Sequence, residues 1–103
     1  MEGRFGRGRE PPSPTSYAIR LRAKNNKIDR VWQSRLPLRI RNFLINRLTT
    51  DAQKLAQQIS SMPKGEEMRQ SLMDDAESRI AVGALHGNDE LIANGRRMIN
   101  FFN

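Results

Sequence analysis

Residues 36–48 read LPLRIRNFLINRL, and this stretch decides the class of fold. Its large apolar residues recur mostly at intervals of three and four: Leu36, Ile40, Phe43, Leu44 and Leu48. That spacing places them on one side of an α-helix, and Arg35 and Arg39 fall on the opposite side. The pattern therefore predicts an amphipathic helix with these five apolar side chains directed inward.

Helical patterns continue through the rest of the chain. Thr50 and Gln53 have the spacing of a capping box, which predicts that a new helix begins there and ends at residues 63–65 (PKG). A further helix is predicted over residues 66–85. Gly87 is expected to stop it, with a last helix following in which Gly95 permits close packing. The predicted fold is mostly α, with about four helices in a domain at residues 26–103.

The N-terminal part reads differently. Residues 1–15 (MEGRFGRGREPPSPT) are rich in Gly, Arg and Pro, and they predict a disordered tail because they offer little apolar surface to bury. Residues 16–25 predict an extended basic arm because apolar side chains alternate there, at Tyr17, Ile19 and Leu21. A short helix in this region is the competing prediction. Asn25 and Asn26 are expected to form a turn.

Charge is divided unevenly along the chain. Residues 1–48 contain twelve Lys or Arg against three acidic residues, whereas residues 49–103 contain six against eight. A basic segment joined to a nearly neutral one indicates that the first part meets a polyanion while the second folds or pairs. The alternative is that the basic residues form an ordinary solvated helix face.

Eight basic residues are the candidate nucleic-acid-binding positions. They are Arg20, Arg22, Lys24, Lys27, Arg30, Arg35, Arg39 and Arg41. Arginine predominates among them, which suits bidentate contacts with phosphate. Contacts of this kind add affinity and salt dependence without reading base sequence.

The remaining chemically reactive residues have simpler interpretations. Trp32 is expected to be partly buried in the core, with stacking on a base as the alternative, and His86 is expected to cap a helix or lie on the surface. Asp74, Asp75 and Glu77 are expected to form a surface patch that either is neutralised locally or meets another subunit. Because the chain has no cysteine and only one histidine, we expect no metal, no cofactor and no enzymatic activity.

The sequence predicts a small RNA-binding protein that acts as a helical dimer or higher oligomer. In physical class it resembles the small basic helical proteins that viruses use on RNA, such as silencing suppressors and nucleocapsid proteins. That resemblance implies double-stranded or structured RNA held by its shape and phosphates. Stoichiometry, the choice between RNA and DNA, strandedness and viral or cellular origin stay open.

A helical adaptor whose basic arm docks on an acidic protein is the alternative function. An unbroken apolar run nowhere exceeds three residues, so no contact with a membrane is expected. No secretory signal segment is expected either, because the residues after Met1 are rich in Gly, Arg and Pro and form no apolar run. A cytoplasmic location is therefore expected, or a nuclear one if the basic tail serves as an import signal.

Overall fold

Four α-helices make up the part of the chain that the computed structural model describes, residues 13–103. They are α1 (Pro14–Gln33), α2 (Leu38–Ser61), α3 (Gly65–His86) and α4 (Asp89–Phe101). The mostly helical class is confirmed. Residues 1–12, which hold most of the predicted tail, lie outside the described residues. Helices α1 and α2 form one antiparallel hairpin, and α3 and α4 form a second that packs against it.

The prediction of an extended arm at residues 16–25 is wrong, because these residues lie within α1. The Ser13 side chain caps the helix by accepting a hydrogen bond from the Ser16 backbone N–H at 3.1 Å. The predicted tail boundary at residue 15 therefore falls inside the helix. Ala18 and Leu21 are buried, whereas Ile19 is 61% exposed. The buried positions follow the helical period. However, the next inward position after Leu21 is the polar Asn25, so the apolar residues alone do not display that period.

Asn25 and Asn26 form no turn, since both lie in the middle of α1. The Asn25 side-chain amide donates to the backbone and side-chain oxygens of Asn94 at 3.0 and 3.1 Å. Asn94 in turn donates to Asp29 at 2.9 Å and to Asn26 at 3.2 Å. Arg97 completes the group by donating from Nε to Asn25 Oδ1 at 2.8 Å. These bonds satisfy buried amides whose helix propensity is poor, and they join α1 to α4.

Helix α2 runs without a break through the predicted capping box, so the separate helix start at Thr50 is also wrong. The Thr50 hydroxyl donates to the Asn46 carbonyl four residues earlier, at 3.0 Å, and caps nothing. Burial explains why the helix continues. One continuous stripe of buried side chains runs along α2 past Thr50. It consists of Leu48, Ala52, Leu55, Ala56 and Ile59.

The N-terminal third of α2 contributes less to the core than its pattern predicts. Leu48 is buried and Leu44 is half-buried. Leu36, Ile40 and Phe43, predicted to point inward, are exposed. These three side chains form an apolar stripe that the described residues leave exposed.

The second hairpin follows the predictions closely. Gly87 has φ 65° and ends α3, and the Asn88 side chain caps α4 by accepting from the Leu91 N–H at 3.1 Å. Gly95 allows close approach, because a Cβ there would lie 2.6 Å from the Ala76 carbonyl oxygen. Between residues 13 and 103, no helix has both the length and the apolar character needed to cross a bilayer.

Candidate nucleic-acid interface

The outer side of α1 carries three exposed basic residues, Arg20, Lys27 and Arg30. Their spacings of seven and three residues place them on one stripe, which extends about 15 Å at 1.5 Å per residue. The stripe lies opposite the buried positions of the same helix. The Arg20 guanidinium lies 5.7 Å from the centre of the Tyr17 ring. Three charges are thus presented together on a rigid element.

Two predicted residues lie on the flanks of this stripe. Arg22 is half-buried, one turn before Asn26 on the side of α1 that faces α4. Lys24 is half-buried on the other side, and its Nζ lies 3.7 Å from Asp51 Oδ2 of α2. Because Asp51 already balances its charge, Lys24 is less available to a phosphate than the outward residues.

The α1–α2 turn divides the other three predicted residues. Arg35 and Arg39 are exposed. Arg41 turns back, and its Nη1 donates to the Trp32 carbonyl oxygen at 3.0 Å while its guanidinium lies 5.9 Å from the Trp32 ring centre. Arg41 therefore stabilises the turn, whereas Arg35 and Arg39 extend into solvent. Trp32 is 46% exposed, so its predicted core position is wrong.

Two further basic residues, Arg47 and Lys54, extend the surface and were not among the predicted positions. Both are exposed on the outer side of α2, where they line a shallow groove with Phe43 and Thr50. Their spacing from Arg39 follows the helical period, so the sequence alone could have identified them. They were missed because Phe43 was assigned to the core and a helix start was placed at Thr50.

The acids of the first hairpin are both neutralised. Residues 14–61 contain ten Lys or Arg and two acids, Asp29 and Asp51. Asp29 pairs with Arg97 of α4, and Asp51 pairs with Lys24. Among the described residues, no carboxylate forms an ion pair with the outward basic side chains. These exposed side chains, the basic face, are Arg20, Lys27, Arg30, Arg35, Arg39, Arg47 and Lys54.

The second hairpin has the opposite character. Residues 62–103 contain five Lys or Arg and seven acids. On α3, Asp75 lies 3.5 Å from Arg79 and is neutralised locally, whereas Asp74 accepts a hydrogen bond at 3.0 Å from the uncharged Gln70. His86 is exposed in the last turn of α3. In residues 13–103, no group of three or more His, Cys, Asp or Glu side chains has the arrangement of a metal site.

Comparisons with family models, with curated proteins and with solved structures found no match to this chain. Its function is therefore inferred from the residues of the two hairpins and their charges.

Proposed function

We propose that this chain is a small nucleic-acid-binding protein, with RNA favoured over DNA, that holds its ligand through phosphate contacts and acts as a homo-oligomer. The observation that carries the proposal is the basic face of the α1–α2 hairpin. Its charges are exposed, while both acids of the hairpin are already paired. A face that served only solubility would mix charges of both signs.

The geometry suits recognition of a phosphate backbone. A rigid helix holds Arg20, Lys27 and Arg30 in one line, and the turn adds Arg35 and Arg39 beside the C-terminal end of that line. Most of these residues are arginines, whose planar guanidinium can contact phosphate with two N–H groups. Binding of this kind depends on the shape and charge of the ligand and not on its base sequence.

The eight predicted residues have different proposed roles. Arg20, Lys27, Arg30, Arg35 and Arg39 contact phosphate directly. Arg22 and Lys24 contribute from the flanks. Arg41 positions the turn through Trp32. The charge, size and helical fold suit a virus-encoded RNA-binding protein, such as a silencing suppressor or nucleocapsid-type protein, in the cytoplasm or nucleus.

Charge reversal on α1 tests the proposal. Fluorescence polarisation with a labelled RNA duplex would compare the wild type with the triple variant Arg20→Glu/Lys27→Glu/Arg30→Glu. The control is Arg96→Glu, which reverses the charge of an exposed arginine on α4. We expect the triple variant to lose at least tenfold in affinity, about 1.4 kcal/mol, and the control to bind normally. Equal affinities for the triple variant and the wild type would refute the proposal.

The adaptor hypothesis uses the same basic face for an acidic protein partner. Purification without nuclease distinguishes the two functions. An RNA-binding protein copurifies with nucleic acid and shows a raised 260/280 nm absorbance ratio, whereas an adaptor purifies without it. RNase and DNase digestion of the copurified material would then identify the nucleic acid.

A further inference from the structure

Exposed large apolar side chains are concentrated in two short segments of the described chain. Five of them lie between residues 32 and 43, and two lie in the last turns of α3. They are Trp32, Leu36, Leu38, Ile40, Phe43, Val82 and Leu85. The remaining one, Ile19, lies near the other end of α1. Monomeric proteins rarely expose large apolar side chains in such a group.

The two segments meet at one end of the bundle. Gln33, the last residue of α1, donates to Glu90 in the first turn of α4 at 2.8 Å. Arg41 of α2 contacts the Trp32 carbonyl of α1, and Gly83 of α3 lies against Ile92 of α4. Trp32 also lines a shallow groove together with Asp89 and Ala93. The residues of this end, 32–43 and 82–90, are named the end face.

Charge on the end face is arranged in two halves. The half from the α1–α2 turn carries Arg35 and Arg39, both exposed. The half from the α3–α4 turn carries Asp89 and Glu90, also exposed. A two-fold axis through the apolar centre would bring the basic half of one copy against the acidic half of the other. The surface is therefore complementary to itself, as a closed two-fold interface requires.

We propose that the end face binds a second copy of this chain by two-fold symmetry, with apolar contacts at the centre and Arg–carboxylate pairs at the rim. This inference specifies the oligomeric part of the proposed function and does not depend on RNA binding. The pairing would enlarge a core that is small for a free-standing domain.

The two-fold arrangement would place two basic faces in one particle. Each copy contributes its α1 stripe, and the shared end face joins the two stripes through their C-terminal ends. Arg35 and Arg39 lie at this junction, where the five N–H donors of each guanidinium suffice for a partner carboxylate and a phosphate together. An RNA longer than one stripe could then contact both copies, so that dimerisation raises affinity through effective concentration. Opposite charges on the two halves of the end face favour a second copy of this surface over a membrane or an unrelated protein, because only a second copy necessarily carries the complementary arrangement.

Sedimentation equilibrium on nuclease-treated protein tests the interface. The variants are Leu38→Asp in the first turn of α2 and Leu85→Lys in the last turn of α3, both compatible with the helix dipole. Ile19→Asp is the matched control, since Ile19 is as exposed as Leu38 but distant from the end face. Wild type and control should have twice the 11.8 kDa chain mass, while Leu38→Asp and Leu85→Lys should dissociate at least tenfold more readily. Circular dichroism would verify that all variants fold.

A monomeric wild type at the highest accessible concentration would overturn the proposal, as would end-face variants that dimerise normally. A charge exchange tests the symmetry separately. Arg39→Glu and Glu90→Lys should each weaken the dimer, and their combination should restore it; a double variant weaker than both would refute the two-fold arrangement. Polarisation with RNA distinguishes the two hypotheses, because a monomer that binds RNA would contradict the interface alone.

Discussion

Arg97 of α4 pairs with Asp29 of α1, with Nη2 on Asp29 Oδ1, and the same guanidinium donates through Nε to Asn25 at 2.8 Å. Asp29 is the only acid in α1. The pair therefore joins the two hairpins and at the same time removes the one negative charge that would weaken the basic face. The Arg97–Asp29 pair thus contributes both to the packing of the two hairpins and to the positive charge of the basic face.

Removing Arg97 should destabilise the fold. Arg97→Ala would remove the donor to the buried Asn25 Oδ1 and the half-buried Asp29 Oδ1, leaving only the bonds of these residues to Asn94, and we expect a loss of about 1–3 kcal/mol in the free energy of unfolding. Urea denaturation followed by circular dichroism measures it. The neighbouring exposed Arg96→Ala should change stability by less than about 0.5 kcal/mol. Equal stability of the two variants would show that the pair contributes nothing.

Gly95 should not tolerate a methyl group. Alanine favours a helix over glycine by about 1 kcal/mol. At Gly95, however, its Cβ would lie 2.6 Å from the Ala76 carbonyl oxygen and 2.8 Å from Ile80 Cγ1. Overpacking of this kind costs about 1–3 kcal/mol, so Gly95→Ala should lower the melting temperature.

Gly87 provides the comparison, because a Cβ there would meet no atom within 4 Å. The only constraint on a substitution is its φ of 65°, which lies in the left-handed region. Gly87→Asn should melt close to the wild type, since asparagine tolerates the left-handed conformation. A Gly95→Ala variant that is as stable as Gly87→Asn would contradict the close packing of α3 on α4.

Arg39 and Arg41 should contribute unequally to RNA binding although they are two residues apart. Arg39 is exposed, whereas Arg41 donates to the Trp32 carbonyl oxygen. Arg39→Gln should therefore lower affinity for RNA more than Arg41→Gln does in polarisation titrations. Because Trp32 is the only tryptophan, its fluorescence should shift in Arg41→Gln and stay unchanged in Arg39→Gln. The reverse pattern would contradict the positioning role of Arg41.

Arg47 and Lys54 should belong to the binding surface even though sequence reasoning did not select them. Neutralising both, as Arg47→Gln/Lys54→Gln, should reduce affinity equally for RNAs of different sequence. The slope of log affinity against log salt should become shallower by about 0.9 for each duplex phosphate that the variant no longer neutralises. An unchanged slope would confine the surface to α1 and the turn.

The sequence predicted most of the second hairpin because its signals are local. Gly87 and Asn88 mark one helix end and one start through their own conformation and side chain. The first hairpin was harder to predict because its decisive contacts are distant in sequence. Asn25 looks like a turn residue until Asn94, 69 positions later, supplies its hydrogen bonds.

The candidate site, too, could be predicted only where its features are local in sequence. The sequence identified the basic residues of α1 and the turn from composition and local spacing alone. It could not show that Arg41 folds back on Trp32, nor that Phe43 lies outward beside Arg47. Both facts depend on contacts between side chains of the packed helices, which local spacing in the sequence does not determine.

The most direct test of the central claim is a salt titration of nucleic-acid-free protein against matched duplex RNA, single-stranded RNA and duplex DNA by fluorescence polarisation. We predict tight binding to RNA, weaker binding to DNA, and a log–log salt slope on the order of −3 to −5 from the outward side chains of α1 and the turn. Weak binding to all three ligands, abolished near physiological salt, would contradict the account and assign the basic face to a protein partner.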